Sequence, residues 1–157
     1  MTMRILAVMA VALTTWAATD GAQAQSAKKP PYWASIAKGE AVMRVGPSKD
    51  YPANWVYQRR DLPVKVVETY PDWRKIEDPD GTIGWMHVRL LKDDPTGIIK
   101  GGTAEMRDGP SADSRLLYRL SPGVIGHLSG CAKGWCAFDV GGKSGYVAEL
   151  NLWGATN

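Results

Sequence analysis

Residues 43–48 read Met-Arg-Val-Gly-Pro-Ser and residues 106–111 read Met-Arg-Asp-Gly-Pro-Ser, so five of six positions are identical after a shift of 63 residues. The similarity continues downstream, where a Gly-Trp pair at residues 84–85 corresponds to a Gly-Tyr pair at residues 145–146. The shift has then fallen to 61, as expected when loops differ slightly in length. An internal repeat of this size indicates one structural unit that is present twice. The sequence therefore predicts two related domains in tandem.

Each copy consists of short segments separated by turn residues, and no helical pattern is sustained for ten residues. Alternation of apolar and polar positions predicts half-buried strands. Asp-Pro-Asp-Gly at residues 78–81 and Gly-Gly at residues 141–142 are typical of hairpin turns. The predicted strands are residues 40–45, 63–70, 73–77 and 82–87 in the first copy, and 103–107, 124–130, 135–140 and 143–147 in the second. The fold class is therefore all-β, with two small barrels in tandem.

The chain divides into five predicted segments. They are a signal peptide at residues 1–24, an extended lead-in at 25–38, a first domain at 39–91, a linker at 92–102 and a second domain at 103–154. The linker is short and contains the apolar pair Ile98-Ile99, so we expect the two domains to share an interface.

The first 24 residues have the pattern of a secretory signal peptide. Arg4 precedes an apolar run at residues 5–13, and Ala-Gln-Ala at residues 22–24 fits a cleavage site. We expect cleavage after Ala24 and a periplasmic or secreted protein without membrane insertion. No cysteine near that site could carry a lipid anchor.

Charge and histidine content argue against several function classes. The 19 Lys and Arg residues and 16 Asp and Glu residues are interspersed and give a net charge of +3, whereas nucleic-acid binding needs a concentrated basic face. His87 and His127 lack a neighbouring nucleophile or metal-ligand pattern. Asp78 and Asp80 are explained by turn chemistry. We therefore predict neither an enzyme nor a metal or cofactor site, with a small enzyme or redox protein kept as the third alternative.

Cys131 and Cys136 are separated by four residues. A close pair in an exported chain is most simply a structural disulfide, because zinc needs further ligands and a redox motif has two intervening residues. Closing so short a loop restricts the unfolded chain by about 2 kcal/mol in the entropic description.

Taken together, the repeated Met-Arg-x-Gly-Pro-Ser motif, the strand tryptophan and the Gly-Trp or Gly-Tyr pair resemble bacterial SH3-like domains of exported proteins. The resemblance covers residues 39–154, and residues 51–64 and 73–85 are especially similar to a Gram-negative subgroup. It implies two partly open barrels of five to six strands that act as noncatalytic binding modules. Such modules are often fused to cell-wall hydrolases and are credited with cell-wall or peptide binding.

Aromatic residues suggest where a ligand binds. Tyr51, Trp55 and Tyr57, together with Arg59, fall in a long predicted loop at residues 46–61 and form the predicted binding surface, with core packing as the open alternative for Trp55 and Tyr57. Aromatic rings stack on apolar faces and Arg pairs with carboxylates, which suits a peptide or a sugar-peptide polymer. The second copy is expected to keep one loop aromatic and to lack a counterpart of Trp55.

The tryptophans and tyrosines of the predicted strands have a different expected role. We expect Trp73, Trp85, Trp135 and Tyr146 to pack in the cores, most firmly Trp85 and Tyr146. Two partners stay open for the binding surface: peptidoglycan, or another envelope protein bound through an open barrel edge.

Overall fold

The computed structural model describes residues 28–156, so the predicted signal peptide and its cleavage site lie outside the described residues. The described chain folds into two antiparallel sheets of seven strands each. No helix within residues 28–156 has the length and hydrophobicity needed to cross a bilayer. The predicted all-β fold with two tandem domains is confirmed.

The first sheet has the strand order β3-β2-β6-β5-β4-β1-β7. Its strands are β1 (Tyr32–Ile36), β2 (Ala41–Arg44), β3 (Ala53–Tyr57), β4 (Pro63–Tyr70), β5 (Trp73–Glu77), β6 (Ile83–His87) and β7 (Leu91–Lys92). A 3-10 turn at Val88–Leu90 joins β6 to β7.

The second sheet repeats this order as β10-β9-β13-β12-β11-β8-β14. Its strands are β8 (Thr96–Ile99), β9 (Ala104–Arg107), β10 (Leu116–Leu120), β11 (Ile125–Ala132), β12 (Trp135–Val140), β13 (Lys143–Ala148) and β14 (Leu152–Gly154). A 3-10 turn at Glu149–Asn151 precedes β14.

Three predicted irregular segments contain strands, and these predictions need correction. The lead-in contains β1, which pairs with β4, and the linker contains β8, which pairs with β11. The long loop at residues 46–61 contains β3, which pairs with β2. Each of these strands is short, so its extended conformation depends on pairing with a distant strand. Together with β7, β10 and β14, which were not predicted either, they raise the count to seven strands per sheet, above the five to six implied by the resemblance.

Each domain has its own apolar core, built from alternate residues of its strands. The first core contains Ala34, Ile36, Ala41, Met43, Tyr57, Leu62, Val64, Val66, Ile76, Met86 and, from the second sheet, Ile98. The second contains Ile99, Ala104, Met106, Leu120, Leu128, Cys136, Phe138 and Val147.

The arginine of the repeated motif builds the same loop in both domains. Arg44 Nη1 donates a hydrogen bond of 2.7 Å to the carbonyl oxygen of Tyr51. Arg107 Nη1 donates one of 2.6 Å to the carbonyl oxygen of Ser114. Each arginine thus ties the end of its strand to the far side of the loop that follows, which explains why the motif occurs twice.

The glycine of the Gly-Trp and Gly-Tyr pairs is required by close packing. A Cβ at Gly84 would lie 2.6 Å from Cγ of Met43, and one at Gly145 would lie 2.6 Å from Cγ of Met106. These distances are far below the usual separation of two carbon atoms in contact. The motif methionine and the downstream glycine therefore form one packing unit in each barrel.

The two domains contact each other, as predicted from the apolar residues near position 98. The Trp33 and Trp153 rings meet edge to face with centroids 4.7 Å apart. Ser35 and Thr96 are both buried and share a hydrogen bond of 2.6 Å between their hydroxyl oxygens. Ile98 extends from the second sheet into the first core. The predicted interdomain interface is confirmed.

Candidate functional site

Tyr57 is in the core and does not belong to an exposed surface. Its side chain is 6% exposed, and its hydroxyl donates a hydrogen bond of 3.0 Å to Oδ2 of the buried Asp78. Burial, followed by the hydrogen bond to Asp78, raises the pKa of Tyr57 above the usual tyrosine range. The prediction that Tyr57 is part of the binding surface is therefore corrected: Tyr57 pairs with the buried Ala41 of β2 and belongs to the first core.

Arg59 contacts the second domain. Its guanidinium donates a hydrogen bond to the carbonyl oxygen of Gly123, which precedes β11. Arg59 therefore helps to hold the two domains together, a role that sequence reasoning within one domain did not detect.

Tyr51 and Trp55 are exposed, as the binding prediction requires. Tyr51 is 47% exposed and its ring packs against Gly46, where an added Cβ would lie 2.6 Å away. Trp55 is 55% exposed on β3, the edge strand of the first sheet. It pairs with Met43 and lies with its ring centroid 6.4 Å from that of Tyr57. Trp55 thus projects past the barrel end above a buried aromatic.

The second domain has a counterpart of Trp55, contrary to the prediction. Tyr118 pairs with Met106 on edge strand β10, just as Trp55 pairs with Met43 on β3. Tyr118 is 41% exposed, and Lys143 Nζ lies 5.1 Å from its ring centroid. The 63-residue repeat shift relates these two positions and was the signal that could have identified Tyr118.

The aromatic that the second domain lacks is the counterpart of Tyr57. Leu120 pairs with Ala104 where Tyr57 pairs with Ala41. Val140 likewise stands at the position of Asp78. The strand pair Glu77–Ile83 of the first sheet corresponds to the pair Asp139–Ser144 of the second. Asp78 and Val140 are the residues that directly follow Glu77 and Asp139. A cleft of about 450 Å³ opens beside Leu120 and Val140 in the second domain.

Trp85 is buried, as expected, but it does not belong to the central apolar cluster of the first domain. It pairs with Lys75 and Arg44, outside the alternate positions that fill the core. Tyr70 meets its ring at 6.4 Å between centroids, and Lys75 Nζ lies 5.7 Å from its centroid. Trp85 is 9% exposed because these side chains cover it.

The three other strand aromatics also lie outside the two central apolar clusters. Trp73 is 9% exposed and packs edge to face on His87, whereas Trp135 and Tyr146 are half-buried. The His87 ring accepts a hydrogen bond of 3.2 Å at Nδ1 from the Arg89 amide. These aromatics therefore form an outer layer on each sheet.

Cys131 and Cys136 form the predicted disulfide, with their Cα atoms 4.0 Å apart. The bond joins directly opposite residues of β11 and β12. Within residues 28–156, no group of three or more His, Cys, Asp or Glu side chains is arranged to hold a metal ion.

Comparison with family models identifies a bacterial SH3 domain twice, at residues 37–93 and 100–154. The search of curated proteins finds no match.

Comparison with solved structures finds matches of low similarity. NlpC2 from Trichomonas vaginalis is 11% identical with a TM-score of 0.35, and the alignment covers 78% of this chain and 48% of that chain. NlpC1 from the same organism is 12% identical with a TM-score of 0.35, covering 82% and 48%. An NlpC/P60 family protein from Bacillus cereus is 14% identical with a TM-score of 0.36, covering 80% and 57%. The chain spans about half the length of these structures.

Proposed function

The chain belongs to the bacterial SH3 domain family, and from that membership we propose that it is an exported, noncatalytic module that binds peptidoglycan or its peptides. Bacterial SH3 domains are binding modules. The N-terminal residues that resemble a signal peptide support export to the compartment where the wall is accessible.

One observation carries the proposal: both domains expose an aromatic side chain at the same position of their edge strand. Trp55 and Tyr118 pair with the equivalent Met43 and Met106 and are 55% and 41% exposed. An exposed rigid ring offers contact area to a sugar or peptide at low entropic cost. Its retention as Trp in one copy and Tyr in the other favours a shared binding role over packing.

The test is cosedimentation of the purified chain with protein-free peptidoglycan sacculi. We expect the wild type to pellet, Trp55→Ala and Tyr118→Ala each to reduce the bound fraction, and the double variant to stay in the supernatant. Leu150→Ala is the matched control, because Leu150 is an 86% exposed apolar side chain in the 3-10 turn Glu149–Asn151, outside strands β3 and β10. Wild-type protein that stays in the supernatant when the sacculi are pelleted contradicts wall binding.

A second candidate is a protein partner that adds a strand to the sheet. Strand β3 has a neighbour on one side only, and four of its five residues are exposed. Such an edge presents unpaired backbone groups to an incoming strand. A photo-crosslinking residue at Asn54 should then capture one envelope protein, whereas the same group at Leu150 should not. Capture at Asn54 without binding to sacculi favours this candidate.

A further inference from the structure

The second domain contains a cleft at the open end of its barrel. The cleft measures about 450 Å³ and lies between β9, β10 and the turn that joins β12 to β13. Its walls are largely apolar, and cationic and aromatic side chains border it. The lining includes Met106, Leu120, Val124, Val140, Tyr118 and Lys143.

The first domain fills the equivalent positions with a polar pair. Tyr57 stands at the position of Leu120 and Asp78 at that of Val140, and the two are hydrogen-bonded at 3.0 Å. Leu120 and Val140 are smaller and have no polar group to satisfy. The two apolar replacements occur together, and both line the cleft of the second domain.

The charges around this cleft favour an anionic group. Lys143 Nζ lies over the Tyr118 ring at 5.1 Å, and Arg119 also borders the cleft. None of the ion pairs formed among residues 28–156 involves Lys143 or Arg119. No acidic residue lines the cleft. An apolar cleft bordered by cations that lack an ion-pair partner is complementary to an apolar group next to a carboxylate.

We propose that this cleft binds a short peptide, whose apolar side chain enters between Leu120 and Val140 and whose free carboxylate pairs with Lys143. Strand β10 is the edge of the second sheet, so an extended peptide can lie beside it. The inference rests on the proposed function as a binding module and assigns the peptide site to the second domain.

The test is a backbone-amide NMR titration of the full chain with acetyl-Ala-Ala-Leu, as the free acid and as the C-terminal amide. We expect resonances of Leu120, Val140 and Lys143 to shift. The amide should bind about tenfold more weakly, because it cannot form the charge-assisted contact. Lys143→Met keeps the length of the side chain and should weaken the acid about tenfold while leaving the amide unchanged.

The double variant Leu120→Tyr with Val140→Asp rebuilds the first domain's pair and should abolish binding of both peptides. Lys143 is exposed, so Lys143→Met tests the site even where the double variant does not fold. Equal affinity of acid and amide, or shifts confined to other residues, overturns the inference.

The sacculus assay separates this inference from the proposed function. A chain that pellets with sacculi but binds neither peptide overturns the cleft assignment and leaves the proposed function standing. A chain that binds the free-acid peptide in the cleft but stays in the supernatant when sacculi are pelleted overturns wall binding and supports the peptide site.

Discussion

The two domains close the same hairpin in different ways. In the second domain, directly opposite residues of β11 and β12 are joined by the Cys131–Cys136 disulfide. In the first domain the equivalent pair is Thr69 and Arg74. Arg74 donates to the carbonyl oxygens of Tyr70 and Trp73 at 3.1 and 2.9 Å. A covalent bond and a hydrogen-bonded guanidinium therefore occupy one position, which shows that the hairpin end needs a constraint of some kind.

The outer surfaces of the two domains also differ. The outer layer around Trp85 includes Tyr70 and Lys75 in the first domain, whereas alanine occupies both corresponding positions in the second. Conversely, the second domain alone carries the cleft bordered by Lys143. The repeat preserves the motif that folds the loop and varies the side chains of the proposed binding surfaces. We infer that the copies bind different chemical groups.

The largest expected effect is a loss of stability that differs between the outer layers of the two domains. Trp85→Ala should destabilise the first domain by about 3 to 5 kcal/mol, because it removes a large, nearly buried ring. Tyr146→Ala is the matched variant at the equivalent position and should cost less, since Tyr146 is only half-buried. Urea unfolding followed by circular dichroism compares the two. An unfolding free energy of Trp85→Ala equal to that of the wild type would show that the first domain does not depend on this layer.

Loss of the disulfide should have the next largest effect. Replacing Cys131 and Cys136 with alanine frees a short loop in the unfolded chain and should cost about 2 kcal/mol. Arg74→Ala probes the corresponding constraint in the first domain and removes its hydrogen bonds. Chemical denaturation of both variants gives the comparison. An unchanged unfolding midpoint for the cysteine variant would show that the second domain is constrained by its packing alone.

Alkaline pH should affect the first domain through Tyr57. Because burial raises the pKa of Tyr57 in the folded state, its contribution to stability is complete below the ordinary tyrosine pKa of about 10. That contribution is lost as pH rises toward the higher folded pKa, by about 1.4 kcal/mol for each pH unit. Unfolding free energies between pH 9 and 11.5, about the tyrosine range, should show this loss in the wild type.

Tyr57→Phe is the control for this pH dependence, because it lacks the titrating hydroxyl. The difference in unfolding free energy between wild type and variant should change across that range. A constant difference would exclude Tyr57 as the titrating group. Leu120, at the equivalent position of the second domain, has no titrating group and adds no such pH dependence to the unfolding free energy.

The smallest expected effect lies at acidic pH in the second domain. The Ser144 hydroxyl, with the Gly142 amide, holds the pKa of Asp139 below its usual range. The resulting stability is present above the ordinary aspartate pKa and is lost as pH falls through the lower folded pKa. Ser144→Ala should therefore reduce the acid-dependent fall in melting temperature between about pH 4 and 2. The same dependence of melting temperature on pH in variant and wild type would show that Asp139 makes no such contribution.

Local sequence patterns predicted the central strands of both sheets. The bounds of β4, β5 and β12 agree with the predicted residues 63–70, 73–77 and 135–140. Apolar positions alternate at Val64 and Val66 of β4, and all three segments are followed by turn residues: 71–72, 78–81 and 141–142. Strands β1, β3, β7, β8, β10 and β14 were missed, because each is short and becomes a strand only by pairing with another strand of its sheet.

The candidate site was predicted in part. Trp55 and Tyr51 are exposed as expected, whereas Tyr57 faces the core and Arg59 contacts the other domain. Tyr118 was predicted as the loop aromatic that the second copy keeps, but not as the counterpart of Trp55, and Lys143 was missed. The position of Tyr118 follows from the repeat once the register is known, but its contact with Lys143 joins two strands that no local pattern relates.

The sequence by itself determined the duplication, the all-β class and the disulfide, because each depends on a repeated motif, a local period or a short cysteine spacing. The tertiary structure decided which aromatic rings are exposed, how the domains contact each other, and where a cleft opens. These properties depend on side chains from strands that are distant in sequence. The exchange of Tyr57 and Asp78 for Leu120 and Val140 is the clearest case, since only the shared register shows that the two replacements meet at one place.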